Sequence, residues 1–286
     1  MPASLTLGDI RVTHIPAGTY WWDGGAFFGV VPKTLWSKHR PPDELNRIEA
    51  AFNCYVIETA NRRILVETGG GVRHDSRWKE RTLMQSPVVL GEALSKAGFE
   101  PESIDIVINT HLHWDHASGN TMDHQGRVLP ALPHAKYLVQ RTELAHGRTN
   151  NPRDGVSYIP VNYEPLLDSG HMELLDGTTH PAPGVTLEIA PGHNNSMMIV
   201  KVQSGADTWC HLADLAPFAA HITPNWTAAF DLFPLTAIET KQQVLGQAAR
   251  EGWHLSFGHD PSVAFAKIEV LEGKWKVIWQ APHQPL

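Results

Sequence analysis

The sequence predicts an α/β chain folded as a four-layer αβ/βα sandwich, and three observations predict it. β-rich runs and amphipathic helices occur in both halves of the 286 residues, each half mostly strands first and helix after. No stretch rich in Pro, Gly or Ser divides the halves, so 1–286 reads as one domain. Two sheets packed face to face with helices outside would bury the apolar side of every element. The composition allows such a core, because 42% hydrophobic and 19% charged residues are ordinary for a globular chain and exclude a disordered one.

Residues 9–15 read as the first strand. Segment 20–29, Tyr-Trp-Trp-Asp-Gly-Gly-Ala-Phe-Phe-Gly, has neither a helical nor a strand period and is expected as a long loop, where function concentrates. Residues 51–59 and 62–67 are β-rich runs joined at Ala60-Asn61, a hairpin. Gly69-Gly70-Gly71 lacks the strand-to-helix context of a dinucleotide loop. Val88, Leu90, Ala93, Leu94 and Ala97 recur near helical spacing, and Gly98 is placed for a C-cap. The apolar run 104–108 is a buried strand. A strand over 136–140, a helical turn over 141–146 and a second long loop over 149–165 follow. Residues 185–190, 197–203 and 208–212 are strands, the last two joined through Gly205-Ala206-Asp207. Helical spacing of Ile238, Val244, Leu245 and Ala248 marks a helix over 235–252. Residues 255–257 and a hairpin of 264–269 with 274–279 complete the order.

A formal charge of −7 and the lack of any Lys/Arg run exclude a surface for phosphate backbones, so no nucleic-acid partner is expected. No apolar stretch approaches a membrane span. The first 16 residues have no basic segment followed by an apolar one, as a secretory signal has. Cys54 and Cys210 are too few for a disulfide framework, so reduced thiols in a cytoplasm are the expectation.

Seventeen His exceed what packing needs. His14, His39 and His283 are expected at the surface. Three of the others concentrate chemistry after strand 104–108, in Asn109-Thr110-His111-Leu112-His113-Trp114-Asp115-His116. His111 and His113 are too close to share a helical face, yet both reach one ion from a looping backbone. Three more candidates stand just past strands: His193 after Ala190-Pro191-Gly192, Asp214 after His211-Leu212-Ala213, and His259 after Ser256-Phe257-Gly258. Gly192 and Gly258 permit the tight backbone that aims an imidazole. Imidazole and carboxylate together suit zinc, and iron, manganese or cobalt take the same donors. No G-x-S-x-G elbow offers a protein nucleophile.

The pattern H-x-H-x-D-H followed by His, Asp and His resembles the metallo-β-lactamase-fold hydrolases. Separations of 77, 21 and 45 residues between His116, His193, Asp214 and His259 resemble their N-acyl-homoserine (quorum-quenching) lactonase branch. Segment 230–235, Glu239-Thr240-Lys241 and Gly258-His259-Asp260-Pro261 are also similar to members of that branch. The resemblance implies two divalent ions, with His111, His113 and His193 around one and Asp115, His116 and His259 around the other. Asp214 is implied as the bridge, and a homodimer as the assembly. It further implies a hydrolase acting on a small-molecule substrate. In that scheme a hydroxide held by the ions attacks a lactone or ester carbonyl, and Asp115 or Asp214 orients it and takes its proton. Same-fold hydrolysis of aryl esters, phosphotriesters or thioesters is the alternative, and an iron redox protein a further one. Two departures stand out. Glu67-Thr68-Gly69 replaces the usual Asp-Thr-Gly, and Ala216-Pro217-Phe218 stands where several lactonases place a Tyr after the bridging Asp. An apolar substrate pocket is expected from Trp21, Trp22, Phe27 and Phe28, with Phe218, His221 and Trp226 from the second half. Trp36, Phe230 and Phe233 are further candidates for it.

Overall fold

In the computed structural model, which describes residues 2–84 and 89–283, the β-rich runs pair into two seven-stranded sheets. The first begins with an antiparallel meander of β1 (Ser4–Leu7), β2 (Ile10–Asp23), β3 (Arg47–Glu58) and β4 (Arg63–Val66), and β5 (Ile106–Ile108) joins β4 in parallel. A separate hairpin, β6 (Thr121–His124) with β7 (Arg127–Pro130), precedes the last strands of that sheet, β8 (Lys136–Gln140) and β9 (Met172–Leu175). The second sheet runs in chain order through β10 (Thr179–Ala182), β11 (Val185–Ile189), β12 (Met198–Ser204) and β13 (Asp207–His211). It continues through β14 (His254–Ser256), β15 (Val263–Leu271) and β16 (Lys274–Pro282). Among the described residues its only parallel pair is β13 with β14.

Both faces of each sheet are covered, which is why the central strands read as apolar runs rather than alternating ones. Between the sheets, Val12, Ile57, Val66 and Ile108 pack with Leu187, Val200, Val202 and Phe265. On the far side of the first sheet, Ala93 and Leu94 of the helix Leu90–Lys96 cover Val56, Leu65 and Val107. On the far side of the second, Leu245 and Ala248 of the helix Pro234–Glu251 cover Ile199, Cys210 and Leu255. That helix has Pro at its start and a left-handed Gly252 at its end, the expected punctuation. The four layers are those the sequence predicts.

Three expectations need correction. Segment 20–29 is not a loop: β2 continues through Asp23, paired with β3 from Thr19↔Ala51 to Asp23↔Arg47 beyond a bulge near Pro16. Residues Gly24–Phe28 then form a helical turn, capped by Asp23 Oδ1 accepting the Ala26 N–H at 3.2 Å. Long-range pairing to β3 overrides the missing local period. His14 is not at the surface but wholly buried, with Nε2 2.9 Å from Asn53 Oδ1 and the half-buried His283 ring 4.6 Å away. Loop 149–165 contains two 3-10 turns and ends in the short helix Glu164–Asp168. Val88 lies outside the described residues. Cys54 and Cys210 are buried and unpaired. No described helix is long and apolar enough to cross a membrane.

Candidate metal centre

Four strand ends deliver the site. β11 and β13 are each antiparallel to β12, and β14 is parallel to β13, so these three strands finish at one edge of the second sheet. Met198, at the start of β12, donates its N–H to the Thr110 carbonyl at 3.0 Å, which ties that edge to the loop after β5. In this loop the Asn109 and Asn120 side-chain amides bond reciprocally at 3.1 and 3.0 Å, and Thr68 N–H donates to the His116 carbonyl at 2.9 Å. The chain before His193 passes under the helix Pro234–Glu251 at Gly192, where φ is +143° and a Cβ would lie 2.4 Å from Ala237 Cα. Only glycine fits there. A Cβ on Gly258 would lie 3.2 Å from Asp214 Oδ1.

The structure brings the seven expected side chains together. His111, His113, His193 and Asp214 form one group and Asp115, His116 and His259 the other, with donor atoms inside each group within 4.8 Å of one another. Asp214 stands between them. Its Oδ2 is 3.5 Å from His193 Nε2 and 3.8 Å from His111 Nε2; its Oδ1 is 3.0 Å from His259 Nε2 and 3.4 Å from His116 Nε2. His193 Nε2 faces His113 Nδ1 at 3.0 Å, and His259 Nε2 faces His116 Nε2 at 3.2 Å. His111 Nε2 is buried with no hydrogen-bond partner among the described residues. Lone pairs converging in a dry interior are costly unless cations neutralise them. The donor set, imidazole with carboxylate, is the one divalent transition ions take. The residues fit two such ions.

The remote ring nitrogens are held, which aims each imidazole. His193 Nδ1–H donates to Asp231 Oδ1 at 3.1 Å, and the other Asp231 oxygen accepts the Ala228 N–H at 2.9 Å. His259 Nδ1–H donates to the Ala51 carbonyl at 2.9 Å, and His111 Nδ1 lies 3.1 Å from Thr110 Oγ1. His116 Nδ1 lies 3.3 Å from Glu67 Oε1, which also accepts the Thr110 N–H at 3.3 Å. Glu67 sits at φ +63°, a strained conformation for a non-glycine residue. Buried Glu143 accepts from Leu112 N–H, the Tyr158 hydroxyl, Asn194 Nδ2 and the Ser196 hydroxyl, joining the loop after β5 to the one after β11. Tyr20 donates its hydroxyl to Asp115 Oδ2 at 3.2 Å. Asp154 Oδ2 accepts from His146 Nε2 at 2.8 Å and lies 3.8 Å from His113 Nε2.

Electrostatics sort the protonation states. Burial, then His116, His113 and His193, push the His111 imidazole well below its ordinary range. Against the cost of burial, His259 and His116 keep the Asp214 carboxyl well below the usual carboxylate range. Against the same cost, Asp214, Glu67 and Asp115 hold His116 well above its ordinary value. At neutral pH the metal-free group thus offers an ionised bridge and a neutral His111, while the proton held on His116 is one that a bound cation would displace.

A cleft of about 300 Å³ opens on the cluster at His113, Asp115, His193 and Asp214. Trp22, Phe27, Trp114 and Phe230 give it aromatic walls, and Arg153, Asp154 and Ser157 a polar stretch. Of the expected pocket residues, Trp22, Phe27 and Phe230 line it. Phe28, Phe218 and His221 do not, being fully buried behind Phe27. Phe218 packs on Phe27 at 4.8 Å, Phe28 stacks on His221 at 4.7 Å, and His221 Nε2–H donates to the Phe27 carbonyl at 2.9 Å. Trp226 packs on Phe28 and His39 instead, and Trp21, Trp36 and Phe233 also stand outside the lining. Aromatic content marks both a core and a cleft, so composition could not separate them. Tyr20, Arg153, Asp154, Glu143 and Asp231 were missed as site residues. The unusual length of loop 149–165 was the one signal pointing to Arg153 and Asp154.

A sandwich of two mixed sheets whose strand ends converge on paired His/Asp clusters defines a metal-dependent hydrolase. The chain belongs to the metallo-beta-lactamase superfamily, whose family model matches residues 51–259. It is 27% identical over 232 residues to an N-acyl homoserine lactonase of Bacillus thuringiensis, across 72% of this chain and 80% of that protein. The crystal structure of a probable metal-dependent hydrolase from Staphylococcus aureus matches with a TM-score of 0.91 at 27% identity, over 99% of this chain and 100% of that one. AidC, a dizinc quorum-quenching lactonase solved with a product, shares the fold with a TM-score of 0.79 at 18% identity, over 98% and 97% of the two chains.

Proposed function

We propose that this hydrolase is a dinuclear lactonase that opens N-acyl homoserine lactones and holds two zinc ions. The observation that carries the reading is Asp214, whose two oxygens face separate histidine sets at the wall of an aromatic cleft. The Bacillus thuringiensis relative, named for lactone hydrolysis, supports the substrate class. When bound, the ion pair supplies a Lewis acid for the carbonyl oxygen and lowers the pKa of water from about 15.7 to roughly 7. His111, His113 and His193 would hold one ion and Asp115, His116 and His259 the other, with Asp214 placed between the two sets. Asp115, steadied by the Tyr20 hydroxyl, or Asp214 would orient the attacking water and take its proton. Trp22, Phe27, Trp114 and Phe230 take up the acyl chain and exclude water. A Tyr in place of Phe218 would be buried away from the cleft; the phenol lining it here belongs to Tyr20. We place the enzyme in the cytoplasm, in keeping with two buried, unpaired cysteines.

A substrate panel tests the reading. Metal-loaded enzyme is offered N-acyl homoserine lactones of several chain lengths, an aryl ester, a phosphotriester and a thioester. The lactones should give the highest kcat/KM. Turnover of the other classes with none of any lactone would rule out the assignment.

A further inference from the structure

Among the described residues lining the cleft, Arg153 is the sole Lys or Arg. It belongs to the segment between the helices Arg141–Gly147 and Glu164–Asp168. Its guanidinium donates to the carbonyl of Ala229, beside Phe230, and makes no other hydrogen bond among the described residues. Arg153 is exposed, and most of its five N–H donors stay free beside that one tether. Ser157 lines the same cleft, and the backbone bonds Gly155 N–H to Asn151 O (2.7 Å) and Ser157 N–H to Asp154 O (2.8 Å) fold the segment. Its end is pinned to the ligand loop by the bridge His113↔Tyr158 and by the Tyr158 hydroxyl donating to Glu143 at 2.9 Å. The fold thus fixes the backbone that carries Arg153 and Ser157 relative to His113.

A lactone carbonyl placed at the His/Asp cluster, with its acyl chain along Trp22, Phe27 and Phe230, leaves the connecting amide between the two. An amide carbonyl drawn out of water needs a donor there. Resting on the lactonase reading, we infer that Arg153 is a specificity-determining residue. It donates to the amide carbonyl of N-acylated lactones, with Ser157 as the second donor, and so separates them from plain alkyl lactones.

Steady-state kinetics of wild type, Arg153→Met, Arg153→Lys and Ser157→Ala test this with N-hexanoyl homoserine lactone and γ-decanolactone. Arg153→Met should raise KM for the N-acylated lactone roughly ten- to a hundredfold with kcat within about twofold, the signature of lost binding. The γ-lactone parameters should stay within about twofold. Arg153→Lys and Ser157→Ala should fall between, and metal content and Tm should be unchanged. Equal losses on both lactones, or no change on either, would overturn the role of Arg153 and leave the lactonase reading standing. Turnover of neither lactone by the wild type would overturn that reading and this inference with it.

Discussion

Each metal-facing nitrogen in this enzyme depends on what its ring does on the far side. Asp231 fixes His193 at 3.1 Å and spends its second oxygen on a backbone N–H, so its loss should be felt as weaker metal binding. Asp231→Ala should lower metal affinity about ten- to a hundredfold, read by competition with a chromogenic chelator. Asp231→Asn, which keeps an acceptor for the imidazole N–H, should recover part of it. An unchanged affinity in Asp231→Ala would show that the ring is aimed by packing alone. The seven candidate ligands were legible in the sequence because each sits in a short motif just past a strand. Their supports were not. Glu143 meets Asn194 and Ser196 from more than 50 positions away, and no local pattern announces a partner that distant.

Strand ends do the positioning, and their turns tolerate little. At Gly192 an added methyl group would meet Ala237 of the long helix at 2.4 Å from its Cα, in a backbone conformation side chains avoid. Gly192→Ala should therefore destabilise the fold by about 1–3 kcal/mol, as overpacking does, and displace His193. Urea unfolding with a parallel metal analysis checks both effects; wild-type stability and full metal content would refute the geometric argument. Most strands were readable as local apolar runs, and the helix Pro234–Glu251 by its local period. The stretch after Tyr20 was not, since β2 holds it by pairing with β3 rather than by any preference of its own. Its side chains divided accordingly: Trp22 and Phe27 reached the cleft, while Phe28 joined the packing behind it.

Taken as a whole, the molecule keeps several imidazoles dry between its layers, and this couples folding to pH. Burial, aided by His283, pushes His14 down to about 3 despite its bond to Asn53, and burial likewise takes His211 to about 3. In the unfolded chain both titrate near 6.5. Between about 6.5 and 3 the unfolded state thus binds more protons, so this contribution to stability is present above about 6.5 and lost as pH falls. Denaturant midpoints should be lower at pH 5 than at pH 7.5, and His14→Gln should narrow the gap; an equal gap in the variant would exclude His14 as a source. The layered architecture and the order of the candidate ligands were visible in the chain, whereas this buried network was not, because His14 lies in a strand whose cover comes from residues far along the sequence. The most direct test of the paired metal centre is elemental analysis of the wild type beside Asp214→Ala. About two divalent ions per chain in the wild type, and at most about one in a variant without lactone turnover, is the expected result. Two ions and full activity retained without the Asp214 carboxylate would contradict it.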